Sequence, residues 1–391
     1  MNLKSFTNIF NFDPKKHLFL GIEEEYWLTD EQGNLVNKSV DLLLSGARKK
    51  LGIVWTKEKF LNDIWEKQTD SILSDLHFKV GLQPELPLSQ IEINTTPPCP
   101  DLRAAWVNLL KQRMFLREIA TSHKINVLPI GTPLFPFTAK IFPLPYYHKV
   151  KEIFADKIKK GFISGQHVHV GMSDEKKAIR VFNYLREYLP IILAISTNSP
   201  IAEGSNTSLQ SSRYFKYRVV AGDVIPEPIA SWQNYYSTLA IMKCLDDPTR
   251  NWKILRIHPY GTVEVRVADV QTTANEAIYI AALVNVLAYK ALNTNHQPDF
   301  TDLRVMEKRL LNSAMYGLTQ TEVKDSVLKI VKKLTSLAKE LQIIDIWEEL
   351  EAWVSSGQNG SARQLKYLAQ CADDPAKLFS KIHREFVNEI K

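Results

Sequence analysis

The stretch Gly165–Gly171, GQHVHVG, places two histidines one residue apart between two glycines. In an extended strand successive side chains point to opposite faces, so His167 and His169 share one face while Val168 and Val170 share the other. One face of this predicted strand is therefore apolar and packs against a core, and the other carries two imidazoles. A single strand histidine is more often a satisfied core residue than a ligand, so the role of this pair depends on the rest of the chain.

Three further predicted strands show the same division into an apolar face and a polar face. The segments are GIEEEYW at 21–27, SQIEINT at 89–95 and GTVEVRVAD at 261–269. Their polar faces carry Glu23 and Glu25; Gln90, Glu92 and Asn94; and Thr262, Glu264 and Arg266. For any one strand, the simpler interpretation is a half-buried sheet whose polar face meets solvent. Four such strands together favour one shared concave site lined by carboxylates and histidines.

Glutamates gathered on one sheet face indicate a binding site for divalent cations. They would repel one another and raise each other's pKa unless positive charge lay between them. Oxygen ligands select Mg²⁺ or Mn²⁺, whereas a zinc site would need more histidine or cysteine. Carboxylate-bound magnesium beside an arginine is suited to binding ATP phosphates and to phosphoryl transfer. The chain has neither a GxxxxGK[ST] loop nor a Gly-rich kinase loop, so we expect metal ions and arginines to hold the nucleotide.

The order of the predicted elements favours an α+β fold. Several strands are close neighbours in sequence, and clear parallel βαβ units are few, which indicates a largely antiparallel sheet with helices on one face. Thr273 and Glu276 form a capping box that begins a long helix, and the pattern from Asp302 onward is helical. We predict a single catalytic domain over 1–391, with a sheet-rich core at about 17–272 and a helical C-terminal part at about 273–391.

The composition is that of an ordinary globular protein and excludes several classes of partner. The 391 residues are 45% hydrophobic and 24% charged, and the net charge of +6 is too small and too scattered for a nucleic-acid footprint. The three cysteines, Cys99, Cys244 and Cys371, lack zinc spacing and suit a reducing compartment. The apolar stretch Ala277–Tyr289 is too short to span a bilayer, and the N-terminus has no signal-peptide core. We therefore expect a cytoplasmic protein with no membrane partner.

Five motifs occur in the order found in one known family. They are LGIEEE at 20–25, SQIEINT at 89–95, SGQHVHVG at 164–171, NSPIAEGSNTSLQSSR at 198–213 and YGTVEVRVAD at 260–269. Between about Leu18 and Thr273 the chain resembles the type 2 glutamate–cysteine ligases, which are ATP-dependent carboxylate–amine ligases. The resemblance implies a core like that of glutamine synthetase, whose curved antiparallel sheet forms a funnel for ATP, metal ions and glutamate. It also implies that ATP phosphorylates the γ-carboxylate of glutamate and that a small amine, cysteine or similar, then attacks the acyl phosphate.

The resemblance also implies roles for individual residues. The implied metal ligands are Glu23, Glu25, Glu85, Glu92, His167 and Glu264. The implied catalytic residues are Arg266, Arg213 and Glu264, and the implied nucleotide or substrate contacts are Arg266, Arg213, His169, Asn206 and Thr207. Glu85 is included because it lies seven residues before Glu92, where the family tends to place another acidic ligand. Glu24 points to the opposite face of its strand, where we predict a core position.

Two positions depart from the family pattern and keep other functions open. Pro133 stands where many members carry a histidine, and Met315 stands where the family often has an arginine. A catalytically weak or inactive nucleotide-binding member is therefore one alternative, and a His-x-His metallohydrolase is another. The sequence does not specify the amine. The amphipathic helices after Thr273 could supply the surface of a homodimer.

Overall fold

A seven-stranded antiparallel sheet forms the centre of the computed structural model, which describes residues 1–66, 72–138, 140–294, 299–371 and 374–389. The strands are β1 Leu20–Thr29, β2 Leu82–Pro84, β3 Gln90–Asn94, β4 Asn126–Leu128, β5 Gly165–Gly171, β8 Leu255–His258 and β9 Thr262–Asp269. A separate two-stranded sheet pairs β6 Ile201–Ala202 with β7 Ser205–Asn206.

The strand order in the main sheet is β2-β3-β1-β5-β9-β8, and β4 pairs with the last residues of β1. Each of these pairings is antiparallel. The strands that carry the predicted acidic and histidine positions, β1, β3, β5 and β9, are consequently adjacent at the middle of the sheet. The prediction of an α+β fold with a mainly antiparallel sheet is confirmed.

Helices cover the sheet and make up the C-terminal part. They are α1 Leu3–Thr7, α2 Ser39–Leu51, α3 Lys57–Glu66, α4 Ile72–Asp75, α5 Leu102–Ser122, α6 Pro145–Phe154, α7 Glu175–Arg186, α8 Leu189–Ser196, α9 Ser212–Ala221, α10 Trp232–Ile241, α11 Ala274–Asn293, α12 Leu303–Tyr316, α13 Thr321–Glu340, α14 Ile344–Ser356, α15 Gly360–Gln370 and α16 Pro375–Glu389. In the part of the chain that the structure describes, no helix is both long enough and apolar enough to cross a membrane. The division of the chain into a single domain stays a prediction.

The apolar face of the sheet packs against α5, α7 and α11. Ile22, Ile93, Val168 and Val265, which alternate with the polar positions, are at most 1% exposed. Helix α11 is buried along most of its length and begins with the predicted capping box. Burial of this face fixes the register of the strands, because a shift of one residue would carry every polar side chain into the core.

Glu24 lies on this packed face, where a core position was predicted. Its carboxylate accepts two hydrogen bonds from the Arg113 guanidinium of α5, at 2.9 and 2.6 Å, and a third from the Tyr26 hydroxyl. Arg113 also donates to Glu389 of α16 at 3.0 Å and to the Thr272 carbonyl at 3.2 Å. Glu24 and Arg113 are both fully buried, so an internal ionic network ties β1 to the helices.

Candidate active site

The polar faces of the central strands meet in a cavity of about 400 Å³. Predicted residues that line it are Glu23, Glu25, Glu85, Glu92, His167, Arg213 and Arg266. We call it the arginine cavity, after Arg213, Arg256 and Arg266 in its wall, and we call Glu23, Glu25, Glu85 and Glu92 the carboxylate cluster. The structure therefore brings together side chains from positions 23 to 266 of the sequence.

The carboxylate cluster and its neighbours offer several arrangements of possible metal ligands. Three sets of ligand atoms lie within 4.8 Å of one another: Glu23, Glu92 and His167; Glu25, Glu85 and Glu92; and Glu23, His169 and Glu264. Carboxylate oxygens predominate in all three sets, which suits a hard divalent cation. The third set includes His169, which was predicted as a nucleotide or substrate contact.

Both histidines of β5 have one ring nitrogen without a hydrogen-bond partner. His167 Nδ1 lies 3.1 Å from a Glu23 oxygen, and His169 Nδ1 lies 2.8 Å from the Thr262 hydroxyl. Each Nε2 atom is buried and unpaired, with the nearest carboxylate oxygens at 3.5 Å (Glu25) and 3.4 Å (Glu23). Buried polar atoms are seldom left unpaired. A histidine that binds a metal ion through one ring nitrogen usually makes a hydrogen bond through the other, which fixes the orientation of the ring. The residues present therefore fit a divalent cation.

Three of the four glutamates in the carboxylate cluster, Glu25, Glu85 and Glu92, hold their protons more strongly than usual. Burial, together with the negative charge of Glu25, raises the pKa of Glu85 to about 8. Burial and the charges of Glu23 and Glu85 raise the pKa of Glu92 well above its usual range. Burial would also raise the pKa of Glu23, but His169 and His167 beside it hold that pKa well below the ordinary value. The cluster thus contains more negative charge than its protein neighbours neutralise.

Glu264 differs from the carboxylate cluster because two arginines already neutralise it. It is fully buried, and its oxygens pair with Arg256 of β8 and with Arg266 two residues along β9. Burial raises the pKa of Glu264, yet Arg256 and Arg266 bring it well below the usual range. A metal ion bound by Glu264 would have to share this carboxylate with both guanidinium groups.

Arg256 was missed by the sequence reasoning, although the signal was present. In β8 the residues Arg256 and His258 alternate with the buried Leu255 and Ile257, which is the pattern used for the other four strands. His77 also lines the arginine cavity, but it lies in the short π-helix Leu76–Val80. No strand or α-helix period there predicts the direction of its side chain.

A bulge between β5 and β9 directs Arg266 towards His167. Gln166 pairs with Ala268, but Val168 pairs with Val265, so Arg266 and Val267 together face His167. The Arg266 and Val267 carbonyls accept hydrogen bonds from Arg213 of α9, each at 3.2 Å. Arg213, predicted as a substrate or phosphate contact, therefore uses both terminal nitrogens to hold the bulge, while its buried Nε has no partner.

The glycines that bracket the histidine motif are required by close contacts. A Cβ atom at Gly165 would lie 2.1 Å from the Arg213 guanidinium, and the Gly165 amide donates to Glu25 at 2.6 Å. A Cβ atom at Gly171 would lie 2.2 Å from the Lys16 carbonyl. The motif therefore combines two ligand-type histidines with two positions where only glycine leaves enough space.

A second cavity of about 310 Å³ lies beside the carboxylate cluster. Its wall includes Phe19, Phe78, Met172, His169, Thr262 and Gly171, and we call it the apolar cavity. It shares Glu23, His77 and Tyr260 with the arginine cavity. The two cavities therefore meet at Glu23, one member of the carboxylate cluster.

Two predicted contacts and both departures from the family pattern lie outside the walls of these cavities. Asn206 is exposed in β7, and the Thr207 hydroxyl donates to the Pro200 carbonyl at 2.8 Å. Pro133 lies beside the same hairpin, because its carbonyl accepts from the Glu203 amide. Met315, near the end of α12, is also absent from the described lining of either cavity.

Comparison with known proteins identifies relatives over nearly the whole chain. The family model described as glutamate–cysteine ligase family 2 matches residues 19–380. A protein of Roseiflexus castenholzii named "Putative glutamate--cysteine ligase 2" is 29% identical over 362 residues, which are 90% of this chain and 86% of that protein. A protein of the same name from Chloroflexus aurantiacus is 26% identical over 365 residues, covering 91% of this chain and 84% of that one.

Solved structures of low sequence identity share the fold. A glutamate–cysteine ligase of Francisella tularensis, crystallised with AMP, aligns with a TM-score of 0.65 and 16% identity, covering 97% of this chain and 90% of that one. A bifunctional glutathione synthetase of Pasteurella multocida aligns with a TM-score of 0.65 and 13% identity, and this chain spans 53% of its length. The resemblance inferred from the short motifs and the predicted enzyme class, an ATP-dependent carbon–nitrogen ligase, are confirmed. The chain belongs to glutamate–cysteine ligase family 2.

Proposed function

We propose that this chain joins the γ-carboxylate of glutamate to a primary amine through an acyl phosphate, with ATP as the phosphoryl donor. The observation that supports this proposal is the carboxylate cluster, which lies where two cavities of different character meet. One cavity presents arginines and the other is mainly apolar. A reaction between two anions requires such a junction, because both must be held close together despite their repulsion.

We assign the nucleotide to the apolar cavity. The Phe78 and Tyr260 rings, whose centroids are 5.8 Å apart, and the side chain of Met172 supply apolar surface for a flat base. From there the phosphates would extend past His169 towards the carboxylate cluster. Mg²⁺ or Mn²⁺ held by Glu23, Glu25, Glu85, Glu92 and His167, with Glu264 at the edge of the site, would supply the positive charge that the phosphates need.

We assign the acidic substrate and the transferred phosphoryl group to the arginine cavity. The buried Nε atoms of Arg213 and Arg266 have no hydrogen-bond partner, so each can still donate to an anion. We propose that Arg266 contacts the transferred phosphoryl group and that Arg213 holds the α-carboxylate of glutamate. A γ-carboxylate oxygen attacks the terminal phosphorus and ADP leaves. The amine nitrogen then attacks the acyl carbon, loses a proton and displaces phosphate.

The alternatives raised by the sequence receive no support from the position of the departures. Pro133 and Met315 lie outside the described walls of both cavities. In each of the three ligand sets, carboxylates outnumber histidines, which favours magnesium over a zinc-bound hydrolytic water.

The test is ADP release from ATP with MgCl₂, glutamate and hydroxylamine, with γ-glutamyl hydroxamate measured by mass spectrometry. Hydroxylamine is a small nucleophile that intercepts an acyl phosphate without needing an acceptor pocket. We expect glutamate-dependent hydroxamate from the wild type and at least a hundred-fold less from Glu92→Gln. The exposed control Glu31→Gln should match the wild type. Absence of hydroxamate from folded, metal-loaded wild type would contradict the proposed reaction.

A further inference from the structure

The arginine cavity has a second region whose lining is aromatic and aliphatic. Its wall there includes Val150, Phe154, Ile158, Tyr217, Val220 and Trp252, which come from α6, the 3₁₀ turn Ala155–Gly161, α9 and the segment before β8. We call this region the aromatic end. These six side chains offer a ligand mainly apolar surface.

The aromatic end lies beside Arg213. The Arg213 guanidinium carbon lies 6.0 Å from the centre of the Tyr217 ring. The Tyr217 hydroxyl donates to the Trp252 carbonyl at 2.7 Å, and the Trp252 and Phe154 rings are 4.6 Å apart. A group that reacts next to Arg213 would therefore lie near the Tyr217 ring, in a cavity whose wall also carries the Trp252 and Phe154 rings.

The cations of the arginine cavity are already assigned. Among the lining side chains that the structure describes, the arginines are Arg213, Arg256 and Arg266. Arg256 is paired with Glu264 and also donates to the Thr249 carbonyl. Arg266 pairs with Glu264 through Nη1 and is assigned to the phosphoryl group, and Arg213 is assigned to the α-carboxylate of glutamate through its unpaired Nε. This leaves no described arginine for the carboxylate of a second amino acid.

We propose that the acceptor is an apolar primary amine without a carboxylate, of the arylalkylamine class, whose ring binds in the aromatic end. This inference rests on the proposed function and specifies its acceptor. The bond from the amine nitrogen to the γ-carbon forms as the bond from that carbon to the phosphate oxygen breaks. Phosphate leaves and the nitrogen loses one proton, so no further reactant is needed. Burial of the ring supplies the binding energy that an ion pair would supply for an amino acid.

The experiment compares acceptors under one set of conditions, with ATP, MgCl₂ and glutamate present. Benzylamine, 2-phenylethylamine, cysteine, alanine and hydroxylamine are supplied separately, and amide formation is followed by mass spectrometry. We expect kcat/KM for benzylamine or 2-phenylethylamine to exceed that for cysteine at least ten-fold. If hydroxamate forms but cysteine or alanine is a better acceptor than the two aromatic amines, the acceptor assignment is overturned and the proposed reaction is left intact. Absence of hydroxamate would remove the proposed function and the acceptor assignment with it.

A matched pair of variants tests the location of the ring. Phe154 lines the aromatic end, whereas its neighbour Ile153 is 56% exposed. Phe154→Ala should lower kcat/KM for benzylamine at least ten-fold more than it lowers the hydroxylamine reaction, and Phe154→Leu should recover part of the loss. Ile153→Ala should leave both reactions unchanged. Equal losses of the benzylamine and hydroxylamine reactions in a folded Phe154 variant would show that the ring of the acceptor does not bind in the aromatic end.

Discussion

Glu85→Gln is expected to increase the stability of the metal-free protein, relative to the wild type, more at high pH than at low pH. Burial and the charge of Glu25 raise the pKa of Glu85 from 4.5 to about 8. The folded state therefore keeps a proton that the unfolded chain has already released over this interval. The stabilisation due to that proton is fully present below the pKa of Glu85 in the unfolded chain. It is lost as the pH rises through the pKa of Glu85 in the folded state. Glutamine has no such dependence.

The pKa of Glu85 sets the size of the effect. Each pH unit between the two pKa values costs the wild type about 1.4 kcal/mol of unfolding free energy, so a rise from about pH 6 to about pH 8 costs at most about 3 kcal/mol. Glu85 is only partly buried in the cavity wall, and water there weakens the repulsion. We expect Glu85→Gln to gain about 1–3 kcal/mol relative to the wild type across this interval.

Urea unfolding with a chelator, at about pH 6 and about pH 9, measures this difference directly. The quantity of interest is the change with pH in the stability difference between variant and wild type. Loss of the hydrogen bond from the Leu86 amide affects both pH values alike and cancels. Exposed Glu31→Gln controls for the loss of one negative charge. A Glu85→Gln difference that stays constant with pH, or that favours the wild type at high pH, would refute the reasoning about charge crowding.

Further predictions concern folding, charge neutralisation and the histidine motif. Arg113→Met should cost about 3–5 kcal/mol in urea unfolding because it leaves Glu24 buried without its partner, and adding Glu24→Leu should recover at least half of that loss. Glu264→Gln should abolish hydroxamate formation and also lower the unfolding free energy by about 3–5 kcal/mol, since the buried Arg256 and the partly exposed Arg266 lose their counter-charge. Unchanged stability would contradict the pairing. Gly165→Ala should displace Arg213 and raise KM for glutamate at least ten-fold in the hydroxylamine assay, and an unchanged KM would argue against that role for Arg213.

The period of two predicted the central strands and the faces of their side chains. It succeeded for β1, β3, β5 and β9 because each has one face buried against helices, which leaves alternate positions for polar residues. It could not reveal the bulge at His167, since the bulge depends on the pairing of two strands. It also could not reveal which helices complete the arginine cavity, because α6 and α9 approach the site through tertiary packing.

The loop at 198–213 illustrates what a motif match leaves open. Asp269, at the end of β9, accepts hydrogen bonds from the Asn198 amide and from the Ser199 and Ser211 hydroxyls. These bonds fix the two ends of the loop and bring Arg213 to the bulge. Asn206 and Thr207 lie in the middle of the loop, away from these anchors, so the motif does not determine where their side chains point. Their predicted role as contacts stays a prediction.

The three consecutive glutamates of β1 show how the fold keeps charge available for ligands. Glu24 faces the helices, where Arg113 neutralises it, and this network holds β1 in place. Glu23 and Glu25 face the arginine cavity from the same rigid strand, so they cannot move apart to relieve repulsion within the carboxylate cluster. Because the protein supplies too little positive charge there, the carboxylate cluster can lower its electrostatic energy by keeping protons, as the raised pKa values of Glu85 and Glu92 indicate, or by binding cations. The buried ion pair on one face thus holds Glu23 and Glu25 in place for the cations proposed on the other face.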